Sequence, residues 1–204
     1  MTKHQPVAPV ITAQEAQARL ARGNARFVSG HARFLTGLVE LREALAAAQR
    51  PWAAILGCSD SRVAPELVFD AGLGELFVIR VAGNVATPGV MGTLHYAVEH
   101  LAIPLLVVLG HQECGAVQTA LERHAQQHWK EKGIEVLMRA IIPGLADVDQ
   151  ALDPAAAMDA AVEANVRWVL RQLREMPEAK REREDATIAG AVYELRSGRV
   201  RFLS

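Results

Sequence analysis

The sequence predicts an α/β fold with a mostly parallel central sheet, in which four parallel strands are followed by a C-terminal antiparallel hairpin strand. Two candidate strands, 53–57 (AAILG) and 105–110 (LLVVLG), are continuous apolar runs, the pattern of strands covered on both faces. Helical patterns lie between the second and third strands and between the third and fourth, as parallel crossovers require. We expect one domain over 1–204, with a helical N-terminal arm at 1–50 and the α/β core at 51–204.

The arm is predicted to contain two helices. Thr12 with Glu15 three residues later matches a capping box at a helix start. Leu20 and Phe27, with alanines between them, predict an amphipathic helix of about 14 residues, a common length in globular proteins. A second helix is expected over 38–49.

The core is predicted to alternate strands with flanking helices. The expected strands are 53–57, 76–82, 105–110 and 187–195, and the expected helices are 89–103, 114–129 and 155–175. The last residues predict a β-hairpin that turns at Ser197-Gly198.

Composition argues against several classes of function. The formal net charge is −1, which gives no electrostatic case for binding nucleic acid or an anionic membrane. No run approaches the roughly 20 apolar residues of a transmembrane helix, and the first residues lack the apolar segment of a secretory signal. We therefore expect a soluble, cytoplasmic protein with no nucleic-acid or membrane partner.

Both buried strands end in a glycine followed by a side chain that binds metals, in Gly57-Cys58 and Gly110-His111. Ligand sites form at the carboxyl ends of parallel strands, so neighbouring strands would bring Cys58 and His111 together, and each glycine would permit a sharp exit from its strand. Cys114 follows at a strand-to-helix turn. These three residues make a Cys₂His set, which is typical of catalytic zinc with one open position.

Other interpretations of the two cysteines remain. A disulfide is disfavoured in a reducing cytoplasm, and two unrelated buried thiols are common. Asp60 could be a fourth ligand, or could accept a hydrogen bond from a zinc-bound water while Arg62 holds it in a bidentate pair. A plain ion pair in a turn explains the spacing of Asp60 and Arg62 equally well.

Taken together, these motifs resemble the β-class carbonic anhydrases. The resemblance rests on CSDSR at 58–62 and on HQECG at 111–115, and GELFVIRVAGN at 74–84, GTLHYAVEHL at 92–101 and the closing hairpin follow the family order. It implies the fold of that family and a single domain over the whole chain. It also implies zinc-dependent, reversible hydration of carbon dioxide to bicarbonate and a proton, by attack of zinc-bound hydroxide.

The resemblance also implies roles for individual residues. Zn²⁺ would be held by Cys58, His111 and Cys114, with Asp60 and Arg62 as the catalytic pair. The substrate pocket would comprise Gln49, Val63, Phe77, Ala82, Tyr96 and Gly115. For Val63 and Phe77 the alternative is plain core packing.

The pocket residues point to one subtype. Gln49, Phe77 and Tyr96 stand at the offsets of the plant-like subtype, and Ile55 replaces the tryptophan of the subtype that binds inhibitory bicarbonate. Ala82 occupies a position that often carries a larger aliphatic residue. The family further implies a homodimer or a larger homo-oligomer such as a homotetramer, with the sheet continuing between subunits, each active site lined from both, and the N-terminal helix packed on the neighbour.

Two other functions fit the same residues. A hydrolase of COS or CS₂ would use the same zinc ligands and differ in pocket access. A zinc-binding protein without turnover is the third interpretation, which the Asp60–Arg62 pair and the lack of a fourth Cys or His at a natural spacing disfavour.

Overall fold

A computed structural model describes residues 11–33, 38–124, 133–149, 151–175 and 186–204. The strands are Ala53–Gly57 (β1), Leu76–Arg80 (β2), Leu105–His111 (β3), Thr187–Tyr193 (β4) and Val200–Phe202 (β5). The helices are Ala13–Val28 (α1), Leu38–Leu45 (α2), Pro65–Val68 (α3), Pro88–Glu99 (α4), Gly115–His124 (α5), Glu135–Ile141 (α6) and Pro154–Glu175 (α7). Short 3₁₀ turns occupy Ala82–Asn84 and Ile142–Leu145.

The strands form one sheet in the order β2-β1-β3-β4-β5. β1 pairs in parallel with β2 and β3, β3 pairs in parallel with β4, and β5 runs antiparallel to β4. The predicted four parallel strands and antiparallel hairpin strand are therefore confirmed. Because β1 and β3 are direct neighbours, the residues that follow them emerge side by side at one edge of the sheet.

The apolar runs are explained by helices on both faces of the sheet. Within β1, Ala54 and Leu56 face the core formed with α4, α5, α6 and α7, whereas Ala53 and Ile55 face the core formed with α1 and α3. Successive side chains of a strand point to opposite faces, so a strand covered on both sides must be apolar at every position. All five residues of β1 are buried.

The N-terminal helix packs on its own chain. Thr12 Oγ1 accepts a hydrogen bond from the Glu15 backbone at 3.2 Å, which confirms the predicted helix start. Ala16 and Leu20 are fully buried. Asn24 donates to the carbonyls of Val68 and Gly198 at 3.1 and 2.8 Å and joins α1 to the loops beneath it. A contact between α1 and a neighbouring subunit would therefore have to use its polar face.

Several boundaries differ from the predicted ones. The helix predicted over 38–49 ends at Leu45, and the strand predicted over 76–82 ends at Arg80, because the next residues turn in a 3₁₀ helix around Gly83. The strand predicted over 187–195 ends at Tyr193. The helix expected over 114–129 begins at 115, and its last five positions lie outside the described residues.

Two expectations fail for steric or length reasons. Gly110 lies inside β3, which continues to His111, so it does not make the sharp exit predicted for it. Gly57 is the last residue of β1, and neither glycine has a positive φ. Gly110 instead leaves room for α7, since a Cβ there would lie 2.6 Å from Val166 Cγ2. α3 and α6 were not predicted, because helices of four and seven residues show little periodicity. Among the described residues, no helix is long and apolar enough to cross a membrane.

Candidate metal centre

Three buried side chains meet where β1 and β3 end. Cys58 directly follows β1, His111 is the last residue of β3, and Cys114 directly precedes α5. Their ligand atoms all lie within 4.8 Å of one another. The two Sγ atoms are 3.9 Å apart and both thiols are free, so the disulfide alternative does not apply. The predicted juxtaposition of these three residues is present, and it depends on the adjacency of β1 and β3.

His111 is oriented as a ligand. Its Nδ1 lies 2.8 Å from the carbonyl oxygen of Gln112, and because a carbonyl only accepts, Nδ1 carries the proton and donates. The lone pair therefore resides on Nε2, which is buried and has no hydrogen-bond partner among the described residues. A buried nitrogen left in this way is costly, and a metal ion between Nε2 and the two thiols would satisfy it.

The two thiols are electrostatically coupled. The pKa of Cys58 is lowered to about 4, chiefly by the hydrogen bond with Cys114 and against the effect of burial, and the hydrogen bond from the Gly83 N–H lowers it further. The pKa of Cys114 is raised by the same contact with Cys58 and by burial. Without a cation, the pair thus keeps one proton between two close sulfurs. A divalent cation would displace that proton, since thiolates are the form that binds metals.

Asp60 lies beside the ligand set, within reach of Arg62. Arg62 donates from Nε to Asp60 Oδ1 at 3.0 Å and from Nη2 to Oδ2 at 2.8 Å. These hydrogen bonds lower the pKa of Asp60 to about 2, although burial opposes the shift. Oδ2 is 4.0 Å from His111 Nε2, too far for a hydrogen bond. The bidentate pair predicted from the sequence is present, with an ionised carboxylate next to the three ligands.

Two further residues hold the ligand loop, the segment 58–60 that follows β1, and the sequence analysis did not identify either of them. Arg80, at the end of β2, donates to the carbonyls of Cys58 and Asp60 at 3.0 and 2.5 Å. Gly83 donates its backbone N–H to Cys58 Sγ at 3.3 Å. Both lie in the 74–84 segment that carries part of the family resemblance. The signal that could have identified Arg80 is an arginine at the end of the strand that neighbours Cys58.

The six expected pocket residues fall into separate places in this chain. Ala82 is half-buried one residue before Gly83, and Gly115 is exposed directly after Cys114. These two therefore flank parts of the ligand site. Val63 is completely buried in the core on the other side of the sheet, with Ile55 and Val68 among its neighbours. Its burial favours the core-packing alternative for Val63.

The other three expected pocket residues are accessible. Phe77 is half-buried on β2, a strand at the edge of the sheet, and its ring centroid is 6.3 Å from that of Tyr96. Tyr96 is 44% exposed and stacks on His100 at 5.0 Å. Gln49 is exposed between α2 and β1. A role for these residues at a metal site stays a prediction.

Comparison with known proteins shows which family this chain resembles in sequence. The profile of the carbonic anhydrase family matches residues 53–200, more than half of the chain. Carbonic anhydrase 2 of Mycobacterium tuberculosis H37Rv is 57% identical over 83 residues, which cover 41% of this chain and 40% of that protein. The carbonic anhydrase of Pseudomonas aeruginosa PAO1 is 34% identical over 169 residues, covering 79% of this chain and 77% of that protein.

The fold is also shared with solved structures. The β-carbonic anhydrase CcaA is 27% identical and superposes with a TM-score of 0.72, covering 93% of this chain and 92% of that one. The β-carbonic anhydrase of Coccomyxa, solved in complex with acetazolamide, is 27% identical with a TM-score of 0.67, over 93% of this chain and 82% of that one.

Proposed function

This chain belongs to the β-class carbonic anhydrases, and we propose that it catalyses the reversible hydration of carbon dioxide to bicarbonate and a proton. One observation carries the proposal: a buried Cys₂His set, whose His111 Nε2 has no hydrogen-bond partner among the described residues, lies next to an ionised Asp60 held by Arg62. Three protein ligands with a further position open are typical of zinc that acts on a substrate rather than zinc that stabilises a fold.

Cys58, His111 and Cys114 would hold the zinc ion. When bound, zinc supplies a Lewis acid that lowers the pKa of a coordinated water from 15.7 to roughly 7, so that a nucleophile forms near neutral pH. The ligand residues fit this task chemically, because thiolate and imidazole are the donors that zinc prefers. The coupled thiols keep one proton in the absence of metal, so zinc uptake should release protons.

Asp60 would orient the reacting oxygen. Arg62 already occupies Oδ1 twice, through its backbone N–H at 2.9 Å and its Nε at 3.0 Å. Oδ2 accepts from Nη2 and lies 4.0 Å from His111 Nε2, so it retains acceptor capacity on the ligand side. A hydrogen bond from the nucleophile to Oδ2 would aim its lone pair at the carbon of the substrate.

The substrate pocket would be completed by residues that are accessible at the surface of the isolated chain. Gln49 could donate an amide N–H to a substrate oxygen and stabilise charge that develops there. Phe77 and Ala82 would offer carbon dioxide an apolar surface, and Tyr96 would lie beside Phe77. These assignments follow the plant-like subtype, and Ile55 is consistent with the absence of inhibitory bicarbonate binding.

A homodimer would bring pocket residues of one subunit to the metal of the other. β2 is an edge strand, and its residues Leu76–Ile79 are only half-buried in the isolated chain. An uncovered edge strand favours pairing with a second copy. Light scattering after size exclusion should give twice the chain mass of 22.1 kDa, or a higher multiple of that dimer. A monomer with full activity would end this part of the proposal.

The reaction is tested by stopped-flow hydration of carbon dioxide with zinc-quantified protein at about pH 8.5, where the coordinated water is largely ionised. Activity should rise in proportion to zinc content. Zinc-replete protein without activity would contradict the proposal, and assays of COS and CS₂ hydrolysis on the same sample would then test the second substrate class.

Two variants separate ligands from catalytic groups. Cys58→Ser should lose both zinc and activity. Asp60→Asn should keep its zinc and lose turnover, because the amide can no longer accept and orient in the same way. Loss of zinc from Asp60→Asn would show that Asp60 is a ligand, and full activity in Cys58→Ser would end the zinc mechanism.

We also propose a cytoplasmic location. Two free cysteines that must act as thiolate ligands suit a reducing compartment. Fractionation with an antibody to the chain should recover it with cytoplasmic markers, and recovery outside the cytoplasm would contradict the proposal.

A further inference from the structure

Asn165, on α7, is connected to a metal ligand through a single glycine. Its side chain is almost completely buried, with 1% exposed. Its Nδ2 donates to the carbonyl oxygen of Gly83 at 2.9 Å, and the Gly83 N–H donates to Cys58 Sγ at 3.3 Å. α7 packs against β3, β4 and the Ala82–Asn84 turn, so it is anchored independently of the ligand loop.

Gly83 cannot fix the direction of its own N–H. Its φ is 69° and its ψ is 17°, in the left-handed region that favours glycine. A Cβ at this position would also lie 2.7 Å from Ile141 Cδ1, so the Ile141 side chain would have to shift to accommodate it. A glycine has no Cβ to restrict rotation about its backbone bonds. Within the turn, the Asn84 N–H donates to the Val81 carbonyl at 2.9 Å. A contact from outside the turn adds a second constraint on the direction of the Gly83 N–H toward Cys58 Sγ.

Asn165 supplies that contact at an energetic cost to the fold. Its Oδ1 is buried and has no hydrogen-bond partner within the described part of the chain. An apolar side chain of similar size would avoid leaving this acceptor unsatisfied. The hydrogen bond to Gly83 is what the amide contributes at this position, and Gly83 leads directly to the zinc ligand.

We propose that Asn165 is a positioning residue of the metal site, which holds the Gly83 N–H on Cys58 Sγ and so strengthens the retention of zinc. An N–H donor next to a thiolate draws charge from the sulfur and stabilises the deprotonated ligand. Residues that orient metal ligands from behind typically change metal affinity when they are replaced. The inference rests on the zinc site of the proposed function and does not depend on the identity of the substrate.

The test compares two alanine truncations on the same helix, Asn165→Ala and Val169→Ala. Val169 is also completely buried but belongs to the apolar core, so its truncation leaves a cavity without removing a donor. Zinc affinity is measured by competition with a chromogenic chelator, and the site is probed by cobalt substitution. Asn165→Ala should bind zinc about 10–100-fold more weakly. Its sulfur-to-cobalt charge-transfer band should move to longer wavelength, because the sulfur loses a hydrogen bond.

Val169→Ala should lower the melting temperature while keeping the zinc affinity and the band of the wild type. A general loosening of the fold would move both variants alike and would overturn the proposal. Wild-type zinc affinity and an unshifted band in Asn165→Ala would also overturn it. Asn165→Leu, which fills the space but lacks the donor, covers the case in which the alanine variant does not fold, and must show the same shift.

The failure of this inference is distinguishable from the failure of the proposed function. If the wild-type chain binds no zinc, both fail. If it binds zinc without hydrating carbon dioxide, the proposed reaction fails and the role of Asn165 is still decided by affinity and spectrum.

Discussion

Arg80 holds the backbone of Cys58 from the neighbouring strand. It is the last residue of β2, and its Nε donates to the Cys58 carbonyl at 3.0 Å. The register of the sheet sets this contact, because Arg80 lies opposite Gly57, the last residue of β1. Its Nη2 also donates to the carbonyl of Asp60. One guanidinium therefore holds the backbone of both Cys58, a candidate zinc ligand, and Asp60, which carries the neighbouring carboxylate.

Replacing the Arg80 guanidinium should disturb the metal site by removing its hydrogen bonds to the backbone of Cys58 and Asp60. Arg80→Leu is expected to lower zinc affinity or kcat/KM by about 10–100-fold. Arg80→Lys should have a zinc affinity and a kcat/KM between those of the wild type and Arg80→Leu, because lysine keeps the charge but lacks the planar guanidinium that binds two carbonyls. As a control, Arg139→Leu removes an exposed arginine that pairs with Glu135 on α6, and it should have little effect. Equal effects at positions 80 and 139 would contradict the role given to Arg80.

Arg62 should act on the orientation of Asp60 rather than on its charge. Without the guanidinium, the pKa of Asp60 would rise from about 2 toward its ordinary value near 4. The carboxylate would still be ionised at pH 7 and above, so charge alone predicts no loss of activity there. Arg62→Lys, which loses the bidentate geometry, should nevertheless reduce turnover by about tenfold or more at unchanged zinc content, as general acid–base and positioning effects do. Steady-state rates at pH 7 to 9 with zinc quantification test this, and full turnover would show that the fork is dispensable.

Asp70 should make stability depend on pH on the acid side. Burial raises the pKa of Asp70, but hydrogen bonds from Arg26 and from the backbone and side chain of Arg33 outweigh it, so the pKa is lowered. A carboxylate with a lowered folded pKa contributes stability that is fully present above its unfolded pKa of about 4. That contribution is lost as the pH falls below 4 through the folded value.

Urea unfolding between pH 7 and pH 3 measures this contribution. Asp70→Asn should cost about 1–3 kcal/mol at pH 7, where its charged partners lose a strong acceptor. The difference between wild type and variant should shrink below pH 4. The acid release of zinc affects both proteins and cancels in that difference. A gap that stays constant over the whole range would contradict the assignment.

Gly23→Ala should lower the free energy of unfolding, because it disturbs the packing of the N-terminal helix α1 on the core. A Cβ at this position would lie 1.8 Å from the carbonyl oxygen of Phe69, a backbone atom that cannot move aside cheaply. We expect a loss of about 3 kcal/mol, since overpacking a tight contact costs that order of free energy. Ala25→Gly, at an exposed position of the same helix, should cost only about 1 kcal/mol through helix propensity.

Chemical unfolding of both variants gives these values, and their zinc content should match the wild type. Gly23 packs on the side of the sheet that carries α1 and α3, whereas Cys58 belongs to the opposite core. Loss of zinc from Gly23→Ala would show that the two cores are coupled. A stability equal to that of the wild type would show that the contact relaxes without cost.

The strands and the three candidate metal ligands could be predicted from the sequence, because both depend on residue patterns within short segments. The strand at 53–57 is exact and that at 105–110 is one residue short, since strands covered on both faces read as unbroken apolar runs. The Asp60–Arg62 pair is two residues apart and needs no tertiary information. The division into one domain over the whole chain stays a prediction.

The residues that support the metal site could be recognised only from the tertiary structure. Asn165 is 82 residues from Gly83, and in the sequence it is one polar residue in a long amphipathic helix. Val63 stands five residues after Cys58, yet it packs on the other side of the sheet, because the short α3 turns the chain under that face.

The sequence by itself thus determined the fold class and which three side chains could hold a metal ion, since apolar periodicity and ligand chemistry are properties of short segments. The tertiary structure alone decided what holds those side chains in place. The contacts of three residues decide this, and each involves a backbone carbonyl or N–H group: those of Arg80, Gly83 and Asn165. Because backbone groups are common to all residue types, such contacts cannot be recognised from the sequence. Their partners exist only once the sheet register and the packing of α7 have brought distant parts of the chain together.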